Sequence, residues 1–136
     1  MELKNKKQQV LVLSQWYFET TVISKQLNSL CRTHCMTFEQ FLFLEQLAQY
    51  GTQSPSELAI KFNTSGPIVT RKLNTLKDKS LIKKTRGTRL DQRVVSVSMT
   101  EQGQMVYEQL SAELANWFQE QQAKQAATFK RFFLVG

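Results

Sequence analysis

Backbone breakers are scarce: five glycines and two prolines in 136 residues leave room for long helices. Two cysteines cannot build a disulfide scaffold, and one histidine excludes a multi-histidine metal site. No apolar run approaches the roughly 18 residues of a membrane span. Behind the basic start at Lys4, Lys6 and Lys7, the apolar stretch from Val10 to Leu13 stops at Ser14 and Gln15, too short for a signal-peptide core. A cytoplasmic chain with reduced thiols is expected. The phosphate-binding G-x-x-x-x-G-K-[ST], the dinucleotide G-x-G-x-x-G, the zinc-protease H-E-x-x-H and the nucleophile-elbow G-x-S-x-G are all missing, so neither an enzyme nor a cofactor is expected. No internal repeat or low-complexity linker divides the chain, and 15.8 kDa suits one domain with one core.

Positive charge is in excess, and it is concentrated. The chain carries a formal +7 with a pI near 9.6. Between Ser54 and Ser98 stand ten lysines and arginines against three acids, while the flanks hold eight of each sign. The whole net charge therefore comes from the middle. Aromatics run the other way: of the 14, only Phe62 lies in that stretch. A middle built to meet polyanion and flanks built to bury apolar surface are implied. The competing reading is a solvated basic face without a partner.

Periodicity places the elements. Val10, Leu13, Tyr17, Ile23, Leu27 and Leu30 predict a long amphipathic helix over residues 8–31. Thr37 with Gln40 forms a capping box, so a second helix should run from Phe38 to Tyr50 and end at Gly51. Ser54, Pro55 and Glu57 start a short third helix through Leu58, Ala59 and Phe62. Ser65 caps a fourth, with Val69, Leu73 and Leu76 on one face. About three residues separate the third from the fourth, the length of a helix-turn-helix turn. Residues 82–86 and 93–99 then alternate, with Val95, Val97 and Met99 inward and Ser96 and Ser98 outward, joined by a loop from Gly87 to Gln92. A two-stranded hairpin in that place is a wing. Thr100 caps a last long helix to about Phe118, with a shorter one continuing to Phe133. The expected class is mainly α with a small β-hairpin wing.

Three segments, in order, resemble the MarR/SarA family of winged-helix transcription regulators over roughly residues 8–120. MTFEQFLFLEQL at 36–47 is similar to the family's L-T-x-x-Q-F helix opening. SGPIVTRKLNTLKDKSLIKK at 65–84 is similar to its recognition helix with the L-x-x-K-G-L-I exit, and LDQRVVSVSMTEQG at 90–103 to its wing with Asp-x-Arg and the L-T-x-x-G helix entry. Two positions depart: Ser80 stands where the family has Gly, and Leu90 where a polar residue is common. The resemblance implies one MarR-like domain over 1–136, with dimerisation helices at 1–35 and 100–136 around a winged helix-turn-helix at 37–99. It implies a regulator, by default a repressor.

A helix about 10–12 Å across fits the B-DNA major groove. With Val69, Leu73 and Leu76 inward, the face turned to DNA would carry Pro67, Arg71, Asn74 and Asp78, flanked by Ile68, Thr70 and Thr75. Arg71 is the candidate base reader, since a guanidinium can bond a guanine edge twice. Pro67 and Ile68 could touch thymine methyls, and core packing is the other reading of Ile68. Ser65 and the free amides at the helix start suit a phosphate. Lys72, Lys77, Lys83 and Lys84 read as phosphate contacts, about five phosphates per subunit being neutralised in all. In the wing, Arg86, Arg89 and Arg93 suit a narrow minor groove. By resemblance, Arg93 enters that groove and Asp91 holds it. The other reading is a plain Asp91–Arg93 surface pair, worth about 0–1 kcal/mol.

The expected partners are double-stranded DNA and a second copy of the chain, with a pseudo-palindromic operator. Trp16, Tyr17 and Phe18 near one end, and Trp117, Phe118, Phe129, Phe132 and Phe133 near the other, are the candidate dimer surface; closing the monomer's own core is their alternative. By resemblance, a small aromatic effector would bind between the dimer helices and the winged helix. Cys31, His34 and Cys35 cluster between the first two helices and leave three readings: structural residues, a redox switch with thiol pKa values lowered by Arg32 and His34, or a metal site. Related oxidation sensors carry their cysteine early in the first helix, where this chain reads QQVLVLSQ. A winged helix used as a protein-interaction module is the alternative function.

Overall fold

The computed structural model describes the backbone of residues 2–87 and 95–134 and the side chains of residues 4–87 and 95–124. The elements in order are α1 (Glu2–Arg32), α2 (Phe38–Tyr50), α3 (Pro55–Lys61), α4 (Gly66–Asp78), β1 (Ile82–Arg86), β2 (Val95–Met99) and α5 (Glu101–Leu134). Each start is set locally. Gln40 N donates to Thr37 Oγ1 and Thr37 N to Gln40 Oε1, both at 3.1 Å, which is the capping box. Ser54 caps α3 and Ser65 caps α4 through their hydroxyls. Thr100 Oγ1 accepts from Gly103 N at 3.0 Å and donates to Ser80 O at 2.7 Å, tying the start of α5 to the exit of α4.

Three helices end without glycine. Cys35 (φ 58°), Asn63 (φ 51°) and Ser80 (φ 64°) occupy the left-handed region just past α1, α3 and α4. Around each, the next residue's amide reaches back to the carbonyl five before it: Met36 to Cys31, Thr64 to Ala59, Leu81 to Leu76. This is the Schellman arrangement, which favours glycine because a Cβ there is strained by roughly 1–2 kcal/mol. Ser80 departs from the family pattern at such a position. Only its backbone is used in these contacts. Ser80→Gly is therefore expected to stabilise the fold by about 0.5–1 kcal/mol after the entropy of the glycine is counted. A thermal melt should rise by a few degrees, and a fall would contradict the strain argument.

The core joins one face of α2 (Phe41, Phe43, Leu44, Leu47) to Leu58 of α3, Val69, Leu73 and Leu76 of α4, Ile82, Val97 and Leu110 of α5. Phe43 stacks on Phe62 at 4.2 Å between ring centroids, and Phe41 on Tyr107 at 5.5 Å, so α2 bridges the helix-turn-helix to α5. Phe38 N donates to Asn28 Oδ1 at 2.8 Å and fixes α2 against α1.

β1 and β2 pair antiparallel from Ile82↔Met99 to Arg86↔Val95. On the other edge of β2, Gln53 exchanges both backbone bonds with Val97, at 3.0 and 2.7 Å. Its side chain donates to Gln46 O, so this buried polar residue is satisfied. The hairpin alternates less cleanly than expected: Val97 is fully buried, while Val95, Met99 and both serines are half-buried. Two boundaries also differ. α1 begins at Glu2, and α5 runs unbroken to Leu134 where a second helix was expected. The Gln/Ala-rich 119–127 stretch consists of helix formers and carries α5 through. The turn between α3 and α4 spans residues 62–65.

Candidate nucleic-acid interface

Burial of Val69, Leu73 and Leu76 fixes how α4 is rotated. Ser65, Pro67, Ile68, Thr70, Arg71 and Asn74 are consequently exposed along its other side. Ile68 is 39% exposed, which removes the core-packing reading. Ser65 Oγ accepts from Ile68 N at 3.4 Å, so its hydroxyl already serves the helix start. Thr75 Oγ1 donates back to Arg71 O at 3.2 Å, and the Arg71 side chain is exposed. Lys77, Lys83 and Arg86 are exposed on the same basic stretch of chain. Arg89, Asp91 and Arg93 lie outside the described residues.

Among the described residues, Lys72, Lys79 and Lys84 are engaged within the chain. Lys72 Nζ stands 2.6 Å from Glu39 Oε1 at the start of α2, a half-exposed pair worth about 0–1 kcal/mol. A phosphate would have to compete with that carboxylate. Lys84 Nζ donates to Asn74 Oδ1 at 2.7 Å, joining the wing to α4. Burial, and then the charge of Lys77, lower the Lys84 pKa. Lys79, at the end of α4, donates to Cys35 O and to Gln40 Oε1 and pins the α1–α2 corner. Counting lysines along the sequence could not show these pairs, whose members meet only through the fold.

The cysteine cluster does not converge. Cys31 is fully buried in the core, and burial, aided by the Glu113 carboxylate, pushes its thiol up to about 11. This is opposite to the lowered value a redox switch at Cys31 needs, because a buried thiolate is poorly solvated. Cys35 is exposed, and His34 Nε2 lies 2.9 Å from Glu113 Oε2 of α5. Among the described residues, no three His, Cys, Asp or Glu side chains stand together as metal ligands would.

A helix-turn-helix backed by a hairpin and flanked by two long helices defines a winged-helix protein. Residues 25–110 match the family described as transcriptional regulator SarA/Rot, and the chain belongs to that family, one of transcription regulators rather than enzymes. It is 31% identical over 77 residues to the HTH-type transcriptional repressor MdtR of Bacillus subtilis (strain 168). That match takes in 57% of this chain and 49% of the relative, so it spans about half the relative's length. Among solved structures, a mutant MarR from E. coli complexed with operator DNA superposes with a TM-score of 0.70 at 22% identity, covering 90% of this chain and 91% of that one. The S. aureus MepR–DNA complex gives 0.72 at 18%, covering 82% and 81%. The regulator BldR from Sulfolobus solfataricus gives 0.68 at 21%, covering 90% and 86%. These likenesses establish the winged-helix fold. Among the described residues, no helix is long and apolar enough to cross a membrane.

Proposed function

We propose that the chain binds double-stranded DNA sequence-specifically as a homodimer in the cytoplasm and represses transcription. The observation that carries this reading is the exposed face of α4, with Arg71, Thr70 and Pro67 turned outward by the burial of Val69, Leu73 and Leu76, in a stretch that holds all the net charge. The solved relatives MarR and MepR bind DNA as complexes of this fold. In this reading Ser65 and Lys72 contact phosphate, Arg71 and Asn74 read bases in the major groove, and Arg86, Arg89 and Arg93 serve the minor groove with Asp91 holding Arg93.

The second copy belongs to the same proposal. Val10, Leu11, Leu13, Tyr17, Phe18 and Val22 of α1 are each more than half exposed, a larger apolar surface than a solvated helix carries. Phe118 of α5 is 44% exposed, whereas Trp16 and Trp117 are half-buried within the chain. Residues 1–35 and 100–136 are the dimerisation segments of one MarR-like domain, and 37–99 the reader. The side chains of Phe129, Phe132 and Phe133 lie outside the described residues. For a small aromatic effector between the dimer helices and the winged helix, a hollow of about 570 Å³ joins α1 to α2 and α4, lined by Asn28, Arg32, Met36, Thr37, Gln40 and Lys79.

Selection of bound duplexes from a random pool tests the function. A two-fold symmetric consensus with half-sites about one helical turn apart is expected. Recovery of no consensus would favour a protein-interaction module instead.

A further inference from the structure

The contact between Lys84 and Asn74 has a chemical polarity. An ammonium carries donors only, so the end of the carboxamide that faces Lys84 Nζ at 2.7 Å is the oxygen. This removes the usual ambiguity between the two ends of an asparagine side chain. The Nδ2 group sits at the opposite end, on an exposed residue of α4. Asparagine reads adenine by using both ends at once, donating to N7 and accepting from the N6 amino group. Lys84 takes one of the two lone pairs of Oδ1 and sets a cation beside the other, which disfavours approach of adenine's N6–H donor and leaves the two Nδ2 donors as the favoured reading end. Guanine presents two acceptors, O6 and N7, on the same groove edge.

We propose that Lys84 is a positioning residue for base recognition: from β1 it holds the Asn74 carboxamide with its amide group outward, so that α4 prefers guanine where a free asparagine would prefer adenine. The inference rests on the DNA-binding reading above. It assigns Lys84 a role distinct from a phosphate contact, since a phosphate contact leaves base preference untouched. Burial of Lys84 at the foot of the wing, beside Lys77, makes an acceptor oxygen on α4 the more valuable to its ammonium.

The test is random-pool selection with the full chain in four forms: wild type, Asn74→Ala, Lys84→Met and Lys84→Arg. Asn74→Ala should abolish the guanine preference at one symmetric pair of positions, which identifies the pair. Lys84→Met keeps the alkyl stem and should shift that pair toward adenine by about tenfold. Lys84→Arg, still a pure donor, should retain guanine. Melting curves of the variants confirm that each is folded. Uniform weakening by Lys84→Met with an unchanged consensus makes Lys84 a phosphate contact and overturns the proposal. So does an Asn74→Ala consensus identical to wild type. If the wild type itself yields no consensus, the DNA-binding reading has failed, and the positioning role falls with it.

Discussion

Gly103→Ala is expected to lower the melting temperature by on the order of 10 °C, although alanine is normally the better helix former by about 1 kcal/mol. The reason is a close approach between two backbones. Gly103 is buried in the first turn of α5, where that turn crosses the segment leaving α4. A Cβ there would drive into the Leu81 carbonyl and lie 2.8 Å from Met99 Cγ and 3.0 Å from Leu81 C. Met99 could swing aside. The Leu81 carbonyl cannot, because it accepts from Thr100 N at 3.1 Å and Leu81 itself closes the turn after α4 through Leu76. Relief therefore requires moving α5 relative to α4, at a cost of about 3 kcal/mol. The glycine of the L-T-x-x-G pattern is thus explained by contact, its φ being unexceptional. Differential scanning calorimetry of the variant settles the matter, and a melt within a degree of wild type would show that the crossing is looser than described.

Arg71→Ala is expected to cost about 1–3 kcal/mol of operator affinity per half-site and to relax base preference at one position in each. Arg71 is exposed on the helix face set by the three buried residues Val69, Leu73 and Leu76. Arg93→Ala should also weaken binding, while leaving the consensus at the major-groove positions unchanged. Titrations against the selected operator and against duplexes altered at single positions separate the two effects. Equal affinity of wild type and Arg71→Ala for every duplex would remove Arg71 from the reading surface.

What the sequence disclosed was local. Thr37 with Gln40, Ser54 with Pro55, and Ser65 announce their helices because a cap and the amide it serves lie three residues apart. The rotation of α4 was legible from a 3.6-residue period in Val69, Leu73 and Leu76. Asn63 marks the end of α3 in the sequence, because asparagine tolerates the left-handed region, but the helix ends at Cys35 and Ser80 were less visible, since neither glycine nor asparagine stands there. Gln53 gives no periodic signal because it pairs with β2 at a single residue. The engaged lysines were hidden for a related reason. Charge along a chain measures field, but whether Lys72, Lys79 and Lys84 are free depends on Glu39, Gln40 and Asn74, which the fold brings to them. The fate of the cysteines turned on burial: Cys31 faces the core while Cys35, four residues on, is exposed.

The central claim is that the cationic middle of the chain meets duplex DNA in two copies. Affinity for the duplex measured against salt concentration examines it most directly. With Lys84 held by Asn74, about four phosphates neutralised per chain, in two chains, predict a log–log slope of about −7. An affinity that does not change with salt, or no binding at low ionic strength, would contradict it.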